Sequence, residues 1–546
     1  MNPLPPDSFA ALASSLGMRT HFVALLAFLC LLMGAFAHGF ARAETGFYPR
    51  FFDQVDYRLR AAGIAAEFTE DGVAGMLRRG LSEAPAQGPV LPVLGGICYA
   101  LGFDPVFGVF TLFLASLAGL WLAFATLRRS PWLGWAAVVL VLLPKSWFRE
   151  VGAATDFRPD FLGQYLWTTA TGLVLASRCC ARTGPTLAAG IVLGIAFCGR
   201  SLTLAYAMAA APWLVLAAWR GDGLGDRRRR LRNLACASLI AVALALPFFC
   251  TRFSVLYDYY IANHLSAREN EARGFTGGFV QHLGWYLDCL RKAHLGNTAT
   301  IWLLVVCGVG LLGRQHRSAL PGWGLTLCGL AFLSPLLVMS MGPQYSEVVP
   351  GVVAGAVALL ALIPVLREPG RLRVPAWVLV LLAAMGCLAW PLRFLADCEA
   401  GRAHRLGLGH ANVRTVVDTI LDAAAAPAPT VLATIPLIDS ISAPMVQLAG
   451  FERNGRLGRP FVGGVGHSIY GAPDLATLLA QLRASNLVVF WDGGCSGDPG
   501  LPANQLVLQN LEPIRAALAR DFVPLGAAVR LEGHPLQVFT PRPAGR

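Results

Sequence analysis

The chain is poor in charge: Asp, Glu, Lys and Arg together make up 14% of its 546 residues. A soluble globular domain carries about a quarter. That class is excluded, the more so because 55% of residues are hydrophobic and the mean hydropathy is +0.56. Lysine is almost absent, with only Lys145 and Lys292, so nearly all the base is arginine. The thirteen cysteines show no metal-ligand spacing, and Cys179-Cys180 are simply adjacent. Most lie inside apolar runs, where thiols act as small hydrophobes. There are no repeats, and the only biased segment is AAAAPAP at 423–429, which reads as a linker. A formal charge of +12 would suit a nucleic-acid binder, but the basic residues collect in short loops between apolar runs. That is orientation signal rather than a binding face.

What the chain does have is long apolar runs, at roughly 20–41, 105–127, 131–146, 161–177, 185–199, 201–219, 233–250, 298–313, 319–340, 349–366 and 374–395. In lipid, runs of this kind can satisfy their backbone only as helices, so they predict an α-helical polytopic membrane protein of about eleven spans. Residues 22–37 could imitate the core of a signal peptide. Without a cleavage context, and with many spans following, they read as an uncleaved first helix. With the N-terminus cytoplasmic, the inner loops hold fifteen arginines (among them Arg178, Arg182, Arg220 and Arg227 to Arg230) against three acids, Asp222, Asp226 and Glu368. All five inner loops agree, as the positive-inside rule requires.

That orientation places four segments outside. The first, 42–104, is long and mixed, and its apolar stretch 88–104 reads as an interfacial or re-entrant helix. The second is 147–160, and the third is 251–297. The fourth, 396–546, reads as a small α/β domain: helix over 412–425, strand at 429–435, helix at 473–484, buried strand at 486–494, helix near 507–520, then strands at 522–531 and 535–540. Cys398 and Cys495 could pair there or remain thiols. The organisation expected is thus a membrane domain over 1–395, whose first outer loop is catalytic, and a C-terminal domain over 396–546.

Two carboxylates, Asp53 and Asp56, stand among aromatics in the first outer segment (Phe51-Phe52-Asp53-Gln54-Val55-Asp56-Tyr57). At a membrane surface they are either solvated acids or a reacting site. Asp156 and Asp160 flank Arg158 and could equally form a structural ion pair, or Asp156 a helix cap. Arg200 lies between two apolar runs, where charge is costly without a purpose, although a snorkelling side chain at a turn is the alternative. The Tyr257-Asp258-Tyr259-Tyr260 run could be an interfacial aromatic belt. The 220–232 arginines read as orientation signal, with anionic-lipid contact secondary.

The order of these features resembles that of the GT-C glycosyltransferases, in particular the branch of aminoarabinose transferases and protein O-mannosyltransferases. The resemblance covers 20–395. Asp53 with Tyr57 four residues on is similar to that family's acid-then-tyrosine pattern. Pro89-Val90-Leu91-Pro92 through Leu101-Gly102-Phe103 resembles its proline-led juxtamembrane helix, and Asp156 to Asp160 its outer acidic segment. Gly190 to Ala196 followed by Arg200 resembles its glycine-rich helix ending in a basic residue. His264 to Arg273 with Trp285-Tyr286-Leu287, and later Gln344-Tyr345, resemble its later outer loops. The family commonly has adjacent Asp-Glu where this chain has Asp53-Gln54.

The resemblance implies a glycosyltransferase that moves a sugar from a polyprenyl-phosphate donor to a lipid, glycan or protein acceptor, with inversion, on the periplasmic side of a bacterial inner membrane. Such transfer needs a carboxylate to take the acceptor's proton: Asp53 first, then Asp56, with Asp156 and Asp160 as further candidates. It also needs cations to hold the departing phosphate, for which Arg200, Arg158, Arg149, Lys145 and Arg252 lie near outer span ends. Tyr57, His264, Gln344 and Tyr345 are the candidate substrate contacts. No cofactor is certain: Asp53 and Asp56 could ligate a divalent cation, but two acids three residues apart are too few to define such a site. The competing readings are a lipid-linked glycan transporter, which would want an internal duplication, a polysaccharide polymerase or ligase, and an inactive scaffold.

Overall fold

The computed structural model describes residues 6–44, 52–127, 130–148, 154, 156–220, 226–263, 277–297, 300–301, 323–342, 346, 348–363, 396, 410–424, 430–436, 441–454, 461–463, 474–495 and 502–543. Two compact units emerge. One comprises Met1–Ala37, Leu77–Leu94 and Asp104–Phe394; the other comprises His38–Met76, Gly95–Phe103 and Leu395–Arg546.

The first unit is helical. Helix α1 (Pro6–Glu44) is followed by α2 (Phe52–Ser82), α3 (Val90–Ala100), α4 (Pro105–Leu127) and α5 (Pro131–Leu142). Then come α6 (Pro159–Ala176), α7 (Thr183–Gly199), α8 (Leu202–Arg220), α9 (Arg227–Thr251), α10 (Phe253–Tyr257) and α11 (Phe279–Cys289), and finally α12 (Trp323–Met341) and α13 (Gly351–Leu360). Among the described residues, four segments are long and apolar enough to cross a membrane: Gly17–Ala41, Pro105–Leu127, Leu202–Arg220 and Arg227–Thr251. Shorter apolar helices include Pro131–Leu142, Thr183–Gly199 and Gly351–Leu360. Nine of the eleven apolar runs in the sequence meet helices; those at 298–313 and 374–395 lie almost wholly outside the described residues.

Helix α6 is the centre of this unit. All eighteen of its residues are buried, among α4, α7 and α13. Its threonines are accommodated locally, because Thr169 and Thr171 donate to the carbonyls of Tyr165 and Trp167 at 2.7 and 2.8 Å. Helices α7 and α9 approach closely because of the glycines at 190 and 194. A Cβ at Gly190 would sit 2.4 Å from the Ala237 carbonyl oxygen, and one at Gly194 would sit 2.8 Å from the Leu244 Cβ. Small residues four apart are what let backbones meet in lipid, where the hydrophobic effect gives helices no reason to associate.

Hydrogen bonds identify the two ends of the bundle. At one end, Arg182 donates to the carbonyls of Ala123 and Ala176, Arg230 to that of Ala218, and Asn233 to that of Cys180. At the other end, Arg252 donates to the carbonyls of Ser82 and Ala84, and Ser201 to that of Ala86. The arginine-rich turns gather at the first of these ends.

The second unit includes the first part of α2, which is interrupted at Gly72 (φ 67°), and a mixed five-stranded sheet. After α14 (His410–Ala423) come β1 (Thr430–Ile435), α15 (Ala443–Asn454), β2 (Phe461–Gly463), α16 (Leu475–Arg483), β3 (Leu487–Trp491), α17 (Pro502–Gln509), α18 (Leu511–Asp521), β4 (Phe522–Leu531) and β5 (His534–Pro541). The strand order is β2-β1-β3-β5-β4; β2, β1 and β3 run parallel, and β5 is antiparallel to both β3 and β4. Strand β3 is buried throughout, as the middle strand of a sheet covered on both faces must be. The β4–β5 turn, Glu532-Gly533, has both φ angles positive, the hairpin geometry that matches strand twist. Apolar residues of α2 pack in a smaller cluster of this unit, where Val55 meets Met445 and Leu448 of α15. The segment expected as a mixed outer loop is therefore largely helical.

Candidate functional site

The proline at position 159 starts α6, and Asp160 stands in its first turn. Helix α7 ends at Arg200, which turns the chain into α8. The two meet as an ion pair between Arg200 Nη1 and Asp160 Oδ1, with side chains only 15% and 8% exposed. The arginine stem lies across α6 at Gly163, one turn beyond Asp160. A Cβ there would come within 2.7 Å of the Arg200 Cδ. Glycine at 163 is thus what allows the guanidinium to reach the carboxylate.

Phenols and amides surround the pair. Ser201 Oγ lies 2.8 Å from the Tyr260 hydroxyl and donates to the Ala86 carbonyl, while its backbone N–H donates to the Gln87 carbonyl at 2.8 Å. Burial works against the Arg200 charge, but the Asp160 carboxylate outweighs it and holds the guanidinium above its ordinary pKa. Burial also pushes the Tyr259 phenol up to about 12, so it remains a donor at neutral pH. Tyr259 and Tyr260 occupy a wide turn over Asp258–Asn263 that follows α10. The arrangement is a sheltered cation held by a carboxylate with phenols close by, chemistry that suits an oxyanion.

The other residues singled out from the sequence are placed as follows. Asp156 is buried and forms an ion pair with Arg158, two residues from Asp160, at 2.5 Å. The N-cap of α6 is Arg158, with no side-chain cap bond, so Asp156 locks the entry to the helix without capping it. Arg252 lies at the same end of the bundle, but its guanidinium is used on backbone carbonyls, at 2.9 and 2.6 Å. Lys145 follows α5 in a single 3-10 turn, with its Cδ 3.7 Å from where a Cβ at Gly296 would be. In the second unit, Asp56 is bound to Arg60 at 2.8 Å on the exposed side of α2, whereas Tyr57 is buried. Asp53 falls in the first turn of α2, with its side chain outside the described residues. Arg149, His264, Gln344, Tyr345 and Cys398 lie outside them as well. Among the described residues, no cluster of His, Cys, Asp or Glu is arranged to hold a metal ion.

Sequence reasoning missed three contributors: Gly163, Ser201 and Tyr206. It read Tyr259 and Tyr260 as a membrane belt. A tyrosine pair after a span carries that signal whichever way its hydroxyls point.

No protein-family model matches the chain, and no curated protein matches it. Among solved structures, the chain is similar to ArnT from Cupriavidus metallidurans in the apo state, with 13% sequence identity, a TM-score of 0.54, and coverage of 94% of this chain and 98% of that one. It is equally similar to ArnT from that organism bound to undecaprenyl phosphate, at 13% identity and TM-score 0.54, covering 94% and 97%. At such identity the likeness is one of fold alone: an ArnT-like polytopic helical membrane fold with a small C-terminal sheet region.

Proposed function

We propose that this chain is a membrane glycosyltransferase that takes a sugar from a polyprenyl-phosphate donor and passes it to an envelope acceptor (a lipid such as lipid A, a glycan or a protein). The observation that carries this reading is the buried Asp160–Arg200 pair, set at the bundle end opposite the arginine-rich turns. It occurs in a fold shared with a protein crystallised with undecaprenyl phosphate. Under the positive-inside rule that end faces the periplasm of a bacterial inner membrane, and the N-terminus is cytoplasmic.

In the proposed reaction the bond between the anomeric carbon and the phosphate oxygen breaks while the acceptor oxygen or nitrogen bonds to that carbon from the opposite face. The polyprenyl phosphate leaves as an anion, so it needs charge stabilisation rather than a proton. Arg200 supplies that charge, and Asp160 fixes its direction. The acceptor's proton passes to a carboxylate, for which Asp53 is the choice because Asp56 is already bound to Arg60. Arg158 and Lys145 add positive charge near the membrane surface. Arg252, spent on carbonyls, is the weaker phosphate ligand. Tyr57, His264, Gln344 and Tyr345 are the proposed substrate contacts.

The test uses Arg200→Gln and Arg200→Lys in the full-length protein. Binding of undecaprenyl phosphate and transfer from a labelled polyprenyl-phosphate sugar are measured separately. Arg200→Gln is expected to lose both, and Arg200→Lys to retain part of the binding. Undiminished binding and transfer in Arg200→Gln refutes the reading.

A further inference from the structure

The bundle end opposite Arg200 holds more arginine than the fold uses. Arg182 and Arg230 are structural, because they complete the C-termini of α4, α6 and α8 by donating to the Ala123, Ala176 and Ala218 carbonyls. Arg178, Arg220, Arg227, Arg228, Arg229 and Arg232 are all exposed. Among the described residues none of these six pairs with a carboxylate, and the neighbouring acid, Asp226, accepts from the Arg228 backbone N–H as the α9 N-cap.

These guanidinia form one surface. Asn233 donates to the Cys180 carbonyl at 2.9 Å, which brings the start of α9 beside the Arg178 turn, and Arg230 ties α9 to the end of α8 beside Arg220. On α9, Arg228 and Arg232 are four residues apart and Arg229 and Arg232 three, so the three share one side. The buried side of α9 starts with Arg230, Asn233 and Ala237. Arg227 lies over the ring of Trp219, 4.2 Å from its centroid, and the indole is 52% exposed. Exposed tryptophan at the end of a span-length helix marks headgroup depth. The unused cations therefore sit where lipid phosphates are, on helices long enough to cross the bilayer.

We propose that this arginine surface binds the phosphate headgroups of anionic phospholipid. Orientation during insertion requires only positive charge. A stack of guanidinium on indole and a three-arginine side of one helix instead present forked donors at a fixed depth, the geometry that phosphate oxygens accept. The inference is independent of the sugar-transfer reading, because none of these residues belongs to the Arg200 site.

The experiment uses the full chain in mixed detergent micelles with phosphatidylglycerol or phosphatidylcholine, and counts the lipids retained by native mass spectrometry. Wild-type protein is expected to retain phosphatidylglycerol preferentially. The triple variant Arg228→Gln, Arg229→Gln, Arg232→Gln should lose about fivefold in affinity per guanidinium, or roughly a hundredfold together. Inorganic phosphate at millimolar concentration should not displace the lipid, and displacement would assign the surface to free anions instead. Should the triple variant fail to fold, a photoactivatable phosphatidylglycerol is cross-linked to wild type. Labelling of the 219–232 peptide supports the proposal, and labelling confined elsewhere overturns it. Equal retention of phosphatidylglycerol by wild type and a folded triple variant overturns it as well.

Discussion

Gly163→Ala is the sharpest probe of the Arg200 site, because two effects of opposite sign meet at one atom. In an isolated helix the substitution stabilises by about 1 kcal/mol. Here the added Cβ would lie 2.7 Å from the Arg200 Cδ and 3.2 Å from its Cβ. The distal end of that side chain is tied to Asp160, so it cannot simply swing aside. To clear the methyl group the stem must lift off α6, which pulls the guanidinium from the carboxylate. Breaking a buried pair outright costs about 3–5 kcal/mol. Set against the helix gain, the expected net destabilisation is up to roughly 2–4 kcal/mol, read as a lower unfolding temperature in detergent. If Arg200 holds the donor phosphate, undecaprenyl phosphate affinity should fall by about 10- to 100-fold, the worth of one charge-assisted hydrogen bond. A cycle with Asp160→Asn should be strongly non-additive, since both changes release the same guanidinium. A Gly163→Ala protein that is more stable than wild type and binds donor lipid unchanged refutes the reasoning.

Three other substitutions follow from the same packing. Tyr260→Phe removes the hydroxyl 2.8 Å from Ser201 and should cost about 1 kcal/mol in thermal unfolding without abolishing the fold. Gly190→Val places carbon against the Ala237 backbone, which cannot retreat, so a loss of 3 kcal/mol or more in unfolding free energy is expected. An unchanged unfolding temperature would show that α7 and α9 do not meet there. Tyr259 titrates near 12 when folded and near 10 when unfolded, so its contribution is complete below pH 10 and lost as pH rises through 12. The wild-type unfolding temperature should fall over that window, and the fall should be smaller in Tyr259→Phe.

The membrane helices were legible because lipid leaves the sequence little choice. An apolar run of span length must be helical, and the runs at 105–127 and 201–219 coincide with α4 and α8 to within a residue. The C-terminal unit was legible through buried-strand runs: 486–494 and 429–435 became β3 and β1, whereas α15 and the three-residue β2 carried too little periodicity to be seen. Helix α2 was missed because its buried face is not purely apolar: Gln54 and Arg58 are buried along with Val55, Ala61 and Ala62. Within the site, Arg200 announced itself by its position between apolar runs. Its partner could not be chosen from sequence, since Asp156 and Asp160 are equivalent neighbours of Arg158 until the helix start assigns one to each arginine.

The two members of the Asp160–Arg200 pair should not be equivalent under mutation, and that difference tests whether the site is as enclosed as the side-chain exposures of 8% and 15% indicate. Removing the guanidinium leaves a sheltered carboxylate in the first turn of α6, where the free backbone N–H groups favour an anion. Removing the carboxylate leaves a sheltered guanidinium, which cannot give up its charge under any condition the protein survives. Asp160→Asn should therefore be the more destabilised of the two, by about 1 kcal/mol. Unfolding temperatures of Arg200→Gln and Asp160→Asn in detergent decide the matter. If both variants unfold together with wild type, water reaches the pair freely and the cation has no special hold on an anionic ligand.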